Sequence, residues 1–186
     1  EKLFMLITHL GLTENIQNLK KSDSFVLDPE GNIVWRVVND DVMGGLSISQ
    51  LQRTAQNNSW IFKGTLSRVN NGGFASIRIN NRDNNLTNFS GIEIKVRGDG
   101  KQYGLSLYED HYFTGFFYHQ SFITRREVWM VVQFNFDHFL PKYFGRPFDY
   151  KRKVDRSQIK EIALMIGDKQ AGEFQLEIAW IKLIPR

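Results

Sequence analysis

The chain has 186 residues, 24 Lys and Arg against 20 Asp and Glu, four His and no Cys. That length suits one domain with its own core, and the missing cysteines exclude disulfides, thiolate catalysis and Cys-ligated zinc or iron–sulfur centres. A net charge of +4 is mild for a nucleic-acid binder, and no apolar run reaches the roughly 18 residues that a membrane span needs.

At the N-terminus, residues 3–12 (LFMLITHLGL) place apolar side chains at 3, 6, 7 and 10, the spacing of one helical face. The spacing predicts a short packed helix within an N-terminal segment 1–24. The alternative is a clipped targeting remnant, since the chain begins at Glu1. Residues 25–186 are expected to form a single β-sandwich domain. From residue 33 onward the signals are short extended runs punctuated by Gly, Asn and Asp. They predict strands at 33–38, 46–54, 60–66, 74–79, 91–97, 103–108, 113–119, 129–134, 159–166 and 174–184.

Period-two alternation is clearest where Ile92, Ile94 and Val96 interleave with Glu93, Lys95 and Arg97, and again along Phe174, Leu176 and Ile178. One dry and one wet face per strand is the pattern of an antiparallel sheet rather than a parallel sheet covered on both sides. Turns at Asn71-Gly72-Gly73 and Gly98-Asp99-Gly100 agree with it. Ten short strands predict an all-β fold, a two-sheet antiparallel sandwich or jelly roll. Residues 137–157, broken by Pro141, Gly145 and Pro147, read as the longest non-strand stretch.

Catalytic chemistry finds little footing. No G-x-S-x-G elbow is present, and His9, His111, His119 and His138 stand in unrelated contexts. His111 and His119 flank an aromatic run, and on one strand they would lie about 26 Å apart, too far to share a metal ion. Asn39, Asp40 and Asp41 could offer hard oxygens to calcium, but without EF-hand spacing. Adjacent Asp40 and Asp41 point to opposite faces of an extended chain, poor geometry for a glycosidase pair. The sequence therefore predicts no catalytic residues, no metal and no cofactor. Arg97-Gly98-Asp99 reads as a turn after a strand, not as an adhesion tripeptide. Lys151, Arg152, Lys153 and Arg156 form the densest basic cluster, interrupted by Asp155; a solvated loop explains it, and an anionic partner such as RNA, a membrane surface or an acidic protein is the functional alternative.

Several Gly-rich segments stand in a definite order. Trp35 precedes Asp40-Asp41-Val42-Met43-Gly44-Gly45-Leu46-Ser47, followed by Phe62-x-Gly64-x-Leu66-Ser67 and Asn71-Gly72-Gly73-Phe74-Ala75-Ser76. Gly91-Ile92 then leads to Val96-Arg97-Gly98-Asp99-Gly100-Lys101-x-Tyr103. Trp129, the Phe139/Pro141/Gly145-Arg146 loop, Gly167 and the closing 174–184 run complete the pattern. Over residues 25–184 it resembles the complex I intermediate-associated protein 30 family. The resemblance implies a galactose-binding-like jelly roll and a role as assembly factor, scaffold or chaperone for a respiratory complex, with related domains linked to photosynthetic ones. It carries no catalytic residues. It offers a candidate surface of Asp40, Asp41, Gly44, Gly45, Asn71, Gly72, Gly73, Asp99 and Tyr103.

The leading expectation is a non-enzymatic domain that binds a protein partner, such as subunits of a membrane complex, through an exposed aromatic patch drawn from Tyr108, Tyr112, Phe116, Phe117 and Tyr118. The alternative is a carbohydrate-binding module using Tyr103, Tyr108, Tyr118, Arg78 and Asp99, an argument from fold analogy. Nucleic acid is the least favoured partner. The protein is expected to be soluble, intracellular or organellar, and peripheral at most to a membrane.

Overall fold

The computed structural model describes residues 34–55, 58–81, 85–110, 114–150 and 152–186. The predicted N-terminal helix lies outside them. Among the described residues regular structure is all β, apart from three 3₁₀ turns at Asp40–Met43, Val69–Asn71 and Phe136–His138. The strands are β1 (Trp35–Asn39), β2 (Ile48–Arg53), β3 (Trp60–Leu66), β4 (Ala75–Asn80), β5 (Phe89–Gly98) and β6 (Gln102–Tyr108). They continue with β7 (Phe116–Ile123), β8 (Trp129–Asn135), β9 (Leu140–Tyr143), β10 (Arg146–Pro147), β11 (Glu161–Ile166) and β12 (Gly172–Pro185).

Two antiparallel sheets result. One has the order β1-β4-β11-β6-β7-β9-β10 and the other β2-β3-β12-β5-β8. Alternation sets their inner faces. Ile77, Ile79, Leu105, Leu107, Tyr118, Ile162 and Leu164 from the first sheet meet Phe62, Ile92, Ile94, Val96, Leu176 and Ile178 from the second in one buried core. Burying aliphatic side chains of this size contributes about 1.5–3 kcal/mol each, which is why the pattern fixes the layers. The alternation of β12 changes parity at a bulge between Ile178 and Trp180. Beyond it Ile181 is the buried residue and Trp180 lies opposite Lys95, a shift no sequence period announces.

The β9–β10 hairpin is an addition to the expected strands. Its two prolines argue against a strand in the middle of a sheet, yet Pro147 lies on the edge strand β10, and Pro141, paired with β7, lies in β9 beyond the last β9–β10 pair.

Candidate functional site

The Gly-rich motifs at 40–47 and 71–76 fold into one unit around a single side chain. Asp40 opens the 3₁₀ turn after β1 and is wholly buried. Its Oδ1 accepts the Ser47 amide at 2.9 Å, and its Oδ2 accepts the Ser47 hydroxyl at 2.6 Å. The same Oδ2 accepts the Gly73 amide at 2.5 Å and the Phe74 amide at 3.3 Å. Burial would raise the carboxyl's pKa, but the Ser47 hydroxyl and the Gly73, Ser47 and Phe74 amides outweigh it and hold it below the usual carboxylate range. Every partner donates a proton, which is the reverse of what a cation site needs, so this carboxylate does not offer itself to calcium.

The glycines make room for that carboxylate. A Cβ on Gly45 would overlap the Asp40 carboxyl carbon, and one on Gly72 would sit 2.5 Å from Oδ2. Gly44 ends the turn in the left-handed region at φ 81°. The Ser47 hydroxyl also accepts the Ser67 amide at 3.0 Å, and Asn70 donates to the Gly44 carbonyl at 3.1 Å. Loops 40–47 and 67–74 are thereby tied to one another. Asp41 is exposed at the surface, its carbonyl accepting from the Gly44 amide, and Asn71 ends the turn Val69–Asn71.

Beside the polar Asp41, Arg68 and Asn70, these tied loops and the adjoining start of β2 expose apolar side chains. Met43, Leu46, Ile48 and Val69 are 50%, 58%, 73% and 52% exposed. Holding four large side chains in water on a rigid support gives a lip suited to a protein surface. Sequence reasoning missed these four. The available signal was Leu46 and Ile48 standing beside a turn with no buried position left for them.

The VRGDG segment is also internally committed. Asp99 accepts the Tyr103 hydroxyl at 3.1 Å, the Lys101 amide at 3.0 Å and the Gln175 amide at 3.0 Å. Tyr103 is buried, and its phenol is held well above its ordinary pKa by burial and then by the Asp99 charge. Arg97 pairs with buried Glu177 at 2.5 Å and lies 5.1 Å from the Trp129 ring centroid. A small pocket of about 150 Å³ beside Arg97, Asp99, Arg126 and Glu177 has much of its polar lining engaged in this way.

Arg78 and Tyr108 lie on the outer face of the seven-stranded sheet, in β4 and β6. Arg78 bonds Glu161 at 3.3 Å and stacks 4.5 Å from the Tyr108 ring centroid, while Phe117 stacks on Tyr108 at 5.4 Å. Tyr118 faces the core with its hydroxyl on the Arg152 carbonyl at 3.2 Å. Tyr103, Tyr108 and Tyr118 are therefore buried, and none offers an open ring face to a sugar. The expected exposed patch at 108–118 is corrected likewise: Tyr108, Phe117 and Tyr118 are buried and Phe116 is half-buried, because both faces of this sheet are packed at these positions. Tyr112 lies outside the described residues. The exposed rings are instead Tyr143, Phe144, Phe148 and Tyr150, on and after the β9–β10 hairpin.

One hydroxyl–imidazole pair resembles a catalytic dyad. Ser106 Oγ lies 2.8 Å from His119 Nδ1. The other ring nitrogen meets the Ser121 hydroxyl at 3.0 Å rather than a carboxylate. Burial, then the Lys142 charge, pushes the imidazole down to about 4, leaving a weak base at neutral pH.

In comparison with known proteins, residues 25–178 match the model of the complex I intermediate-associated protein 30 family. An uncharacterized protein of Schizosaccharomyces pombe is 31% identical over 172 residues, covering 82% of this chain and 78% of that protein. A probable complex I intermediate-associated protein 30, mitochondrial, of Caenorhabditis elegans is 26% identical over 80% of this chain and 49% of its own length. The mouse protein of that name is 25% identical over 79% of this chain and 51% of its own. The chain thus spans about half the length of the worm and mouse relatives.

Among solved structures, the family 11 carbohydrate-binding module of a cellulosomal cellulase of Clostridium thermocellum superposes with a TM-score of 0.63 at 15% identity, over 88% of this chain and 92% of that one. An agarase aligns with a TM-score of 0.52 at 12% identity, over 81% of this chain and 22% of the enzyme. At such identities the likeness extends to the jelly-roll fold and no further. With the family model covering most of the sandwich, this chain belongs to the complex I intermediate-associated protein 30 family.

Proposed function

We propose that the chain is a non-enzymatic binding domain that helps assemble a membrane-associated complex, a respiratory one as in the name of its family, and that it grips a protein partner with the Asp40-supported lip. The observation that carries this reading is the pairing of a buried, fully bonded carboxylate with three exposed apolar side chains, Met43, Leu46 and Val69, on the loops it ties together, and with Ile48 at the adjoining start of β2. Pre-organised loops lose little conformational freedom on binding, so their apolar contacts translate into affinity rather than into ordering. Family membership supports the assembly role, and the mitochondrial relatives support an organellar setting. The weak basicity of His119 and its hydroxyl neighbours support a role without catalysis.

Affinity capture from a native organellar membrane extract tests it. Subunits of a respiratory complex should be enriched with the wild-type chain and depleted with Leu46→Asp. Recovery of chaperones alone, or equal recovery with both chains, contradicts the proposal.

A further inference from the structure

The second exposed apolar surface differs in kind from the lip. β9 and β10 are joined by Phe144-Gly145, both at positive φ (45° and 74°), and Arg146 pairs with Tyr143 across the turn. This two-residue turn at the last strand of the sheet carries Phe144, whose ring packs over Gly115 with its other side exposed. Tyr143, Phe144, Phe148 and Tyr150 are each 43–48% exposed. They are also packed on each other: Phe148 lies 6.0 Å from Phe116, 5.7 Å from Tyr143 and 6.1 Å from Tyr150. Leu140, at the start of the hairpin, is exposed as well.

Charge is concentrated on the same stretch. Residues 142–156 contain six Lys or Arg and two Asp, so these fifteen positions hold an excess equal to the whole chain's +4. Arg146 forms no ion pair among the described residues. Lys142 and Arg156, 18% and 12% exposed, pair with Asp168 and Asp137, whereas Arg152 and Lys153 pair with Glu109 and Asp137 but remain 51% and 72% exposed, where such pairs are weak and readily exchanged.

We propose that this hairpin is a membrane-docking element that seats its aromatic tip in the interfacial layer of an anionic bilayer. Phe and Tyr rings ringed by Lys and Arg are the composition that settles at the headgroup level, with rings among the upper acyl chains and cations on the phosphates. The basic excess complements a negative lipid surface. The rings favour lipid over RNA. They contact one another at mixed angles, Tyr143 with Phe144 at 82°, Tyr143 with Phe148 at 40° and Phe148 with Tyr150 at 30°, each ring partly covered by a neighbour rather than left open as a platform for bases. This assignment stands apart from the lip and would hold even if the lip bound nothing. Together the two would let the domain rest on a membrane while it holds a protein.

Co-sedimentation with phosphatidylcholine vesicles, with and without phosphatidylserine, tests the assignment. The chain should bind only the vesicles containing phosphatidylserine, less at high salt, and Phe144→Ser/Phe148→Ser should weaken binding about tenfold or more at unchanged charge. Arg146→Glu, an exposed change that leaves the ring cluster intact, should weaken it as well, and its unaltered melting temperature separates docking from folding. Failure to bind phosphatidylserine vesicles overturns the proposal, as does equal binding by the aromatic double variant. Binding of a single-stranded RNA oligonucleotide that displaces the vesicles would reassign the cations to nucleic acid. Loss of protein capture by the double variant, with vesicle binding intact, would reassign the rings to a protein partner.

Discussion

Met43, Leu46 and Val69 are presented by loops whose backbone donors converge on one buried carboxylate, whereas Tyr143, Phe144, Phe148 and Tyr150 are presented by a hairpin held ring against ring. The difference governs how each surface fails. Hydrogen bonds to a buried charge act as a unit, because removing the acceptor strands several donors at once. Ring contacts are separate and individually modest, so the hairpin loses one piece at a time. The lip is therefore rigid and dependent on a single residue, and the hairpin is adaptable and redundant.

The largest effect should come from the carboxylate. Asp40→Ala leaves the Ser47, Gly73 and Phe74 donors unpaired in a buried site and should cost about 3–5 kcal/mol in chemical denaturation. A loss under about 1 kcal/mol would mean that water takes over those donors and the lip is not built on this residue.

Acid should act next, through His119. Its pKa falls from 6.5 unfolded to about 4 folded, so the folded protein binds fewer protons between those values. The contribution is complete above pH 6.5, declines as pH falls from there to about 4, and amounts to at most about 3 kcal/mol. His119→Gln should flatten the stability profile across that window. Asp40 adds a separate loss at lower pH, because its folded pKa lies below the ordinary 3.8 and its contribution disappears as pH falls through the folded value. An unaltered profile in the glutamine variant would show that the imidazole is not the group responsible.

Smaller effects distinguish the surfaces themselves. Phe148→Ser removes a half-exposed ring from a three-ring contact and should cost about 1–2 kcal/mol. Leu46→Asp, on a side chain that packs on little, should change stability by no more than about 0.5 kcal/mol. Thermal melting of the two variants gives the order. A larger loss for Leu46→Asp would show that the lip side chains are part of the packing rather than offered to a partner.

The layers were legible because Ile92, Ile94 and Val96, like Phe174, Leu176 and Ile178, alternate without interruption. The later half of β12 was not, since a bulge reverses the parity of a run whose residues are apolar on both sides of it. The β9–β10 hairpin was hidden by Pro141 and Pro147, which argue against a central strand but are admitted on the edge strand β10 and near the open end of β9. For the site, the sequence singled out Asp40, Gly45, Gly72 and Gly73 as belonging together by motif. It could not show that they meet at one carboxylate, because residues 33 positions apart carry no local signal of contact. Tyr108 and Tyr118 were expected in an exposed patch, but Tyr118 faces the core and Tyr108 lies on the outer face. In this sheet the outer face is also packed, by Arg78, Phe117 and Met165.

A photo-crosslinking residue placed at position 46, with the same residue at position 144 as its counterpart, tests the central claim most directly. Irradiated in a native membrane extract, the chain labelled at 46 should form a covalent adduct with a subunit of a membrane complex, while the chain labelled at 144 should yield lipid adducts. Protein adducts from 144 and none from 46 would contradict the account, for the partner would then be gripped by the hairpin and not by the lip.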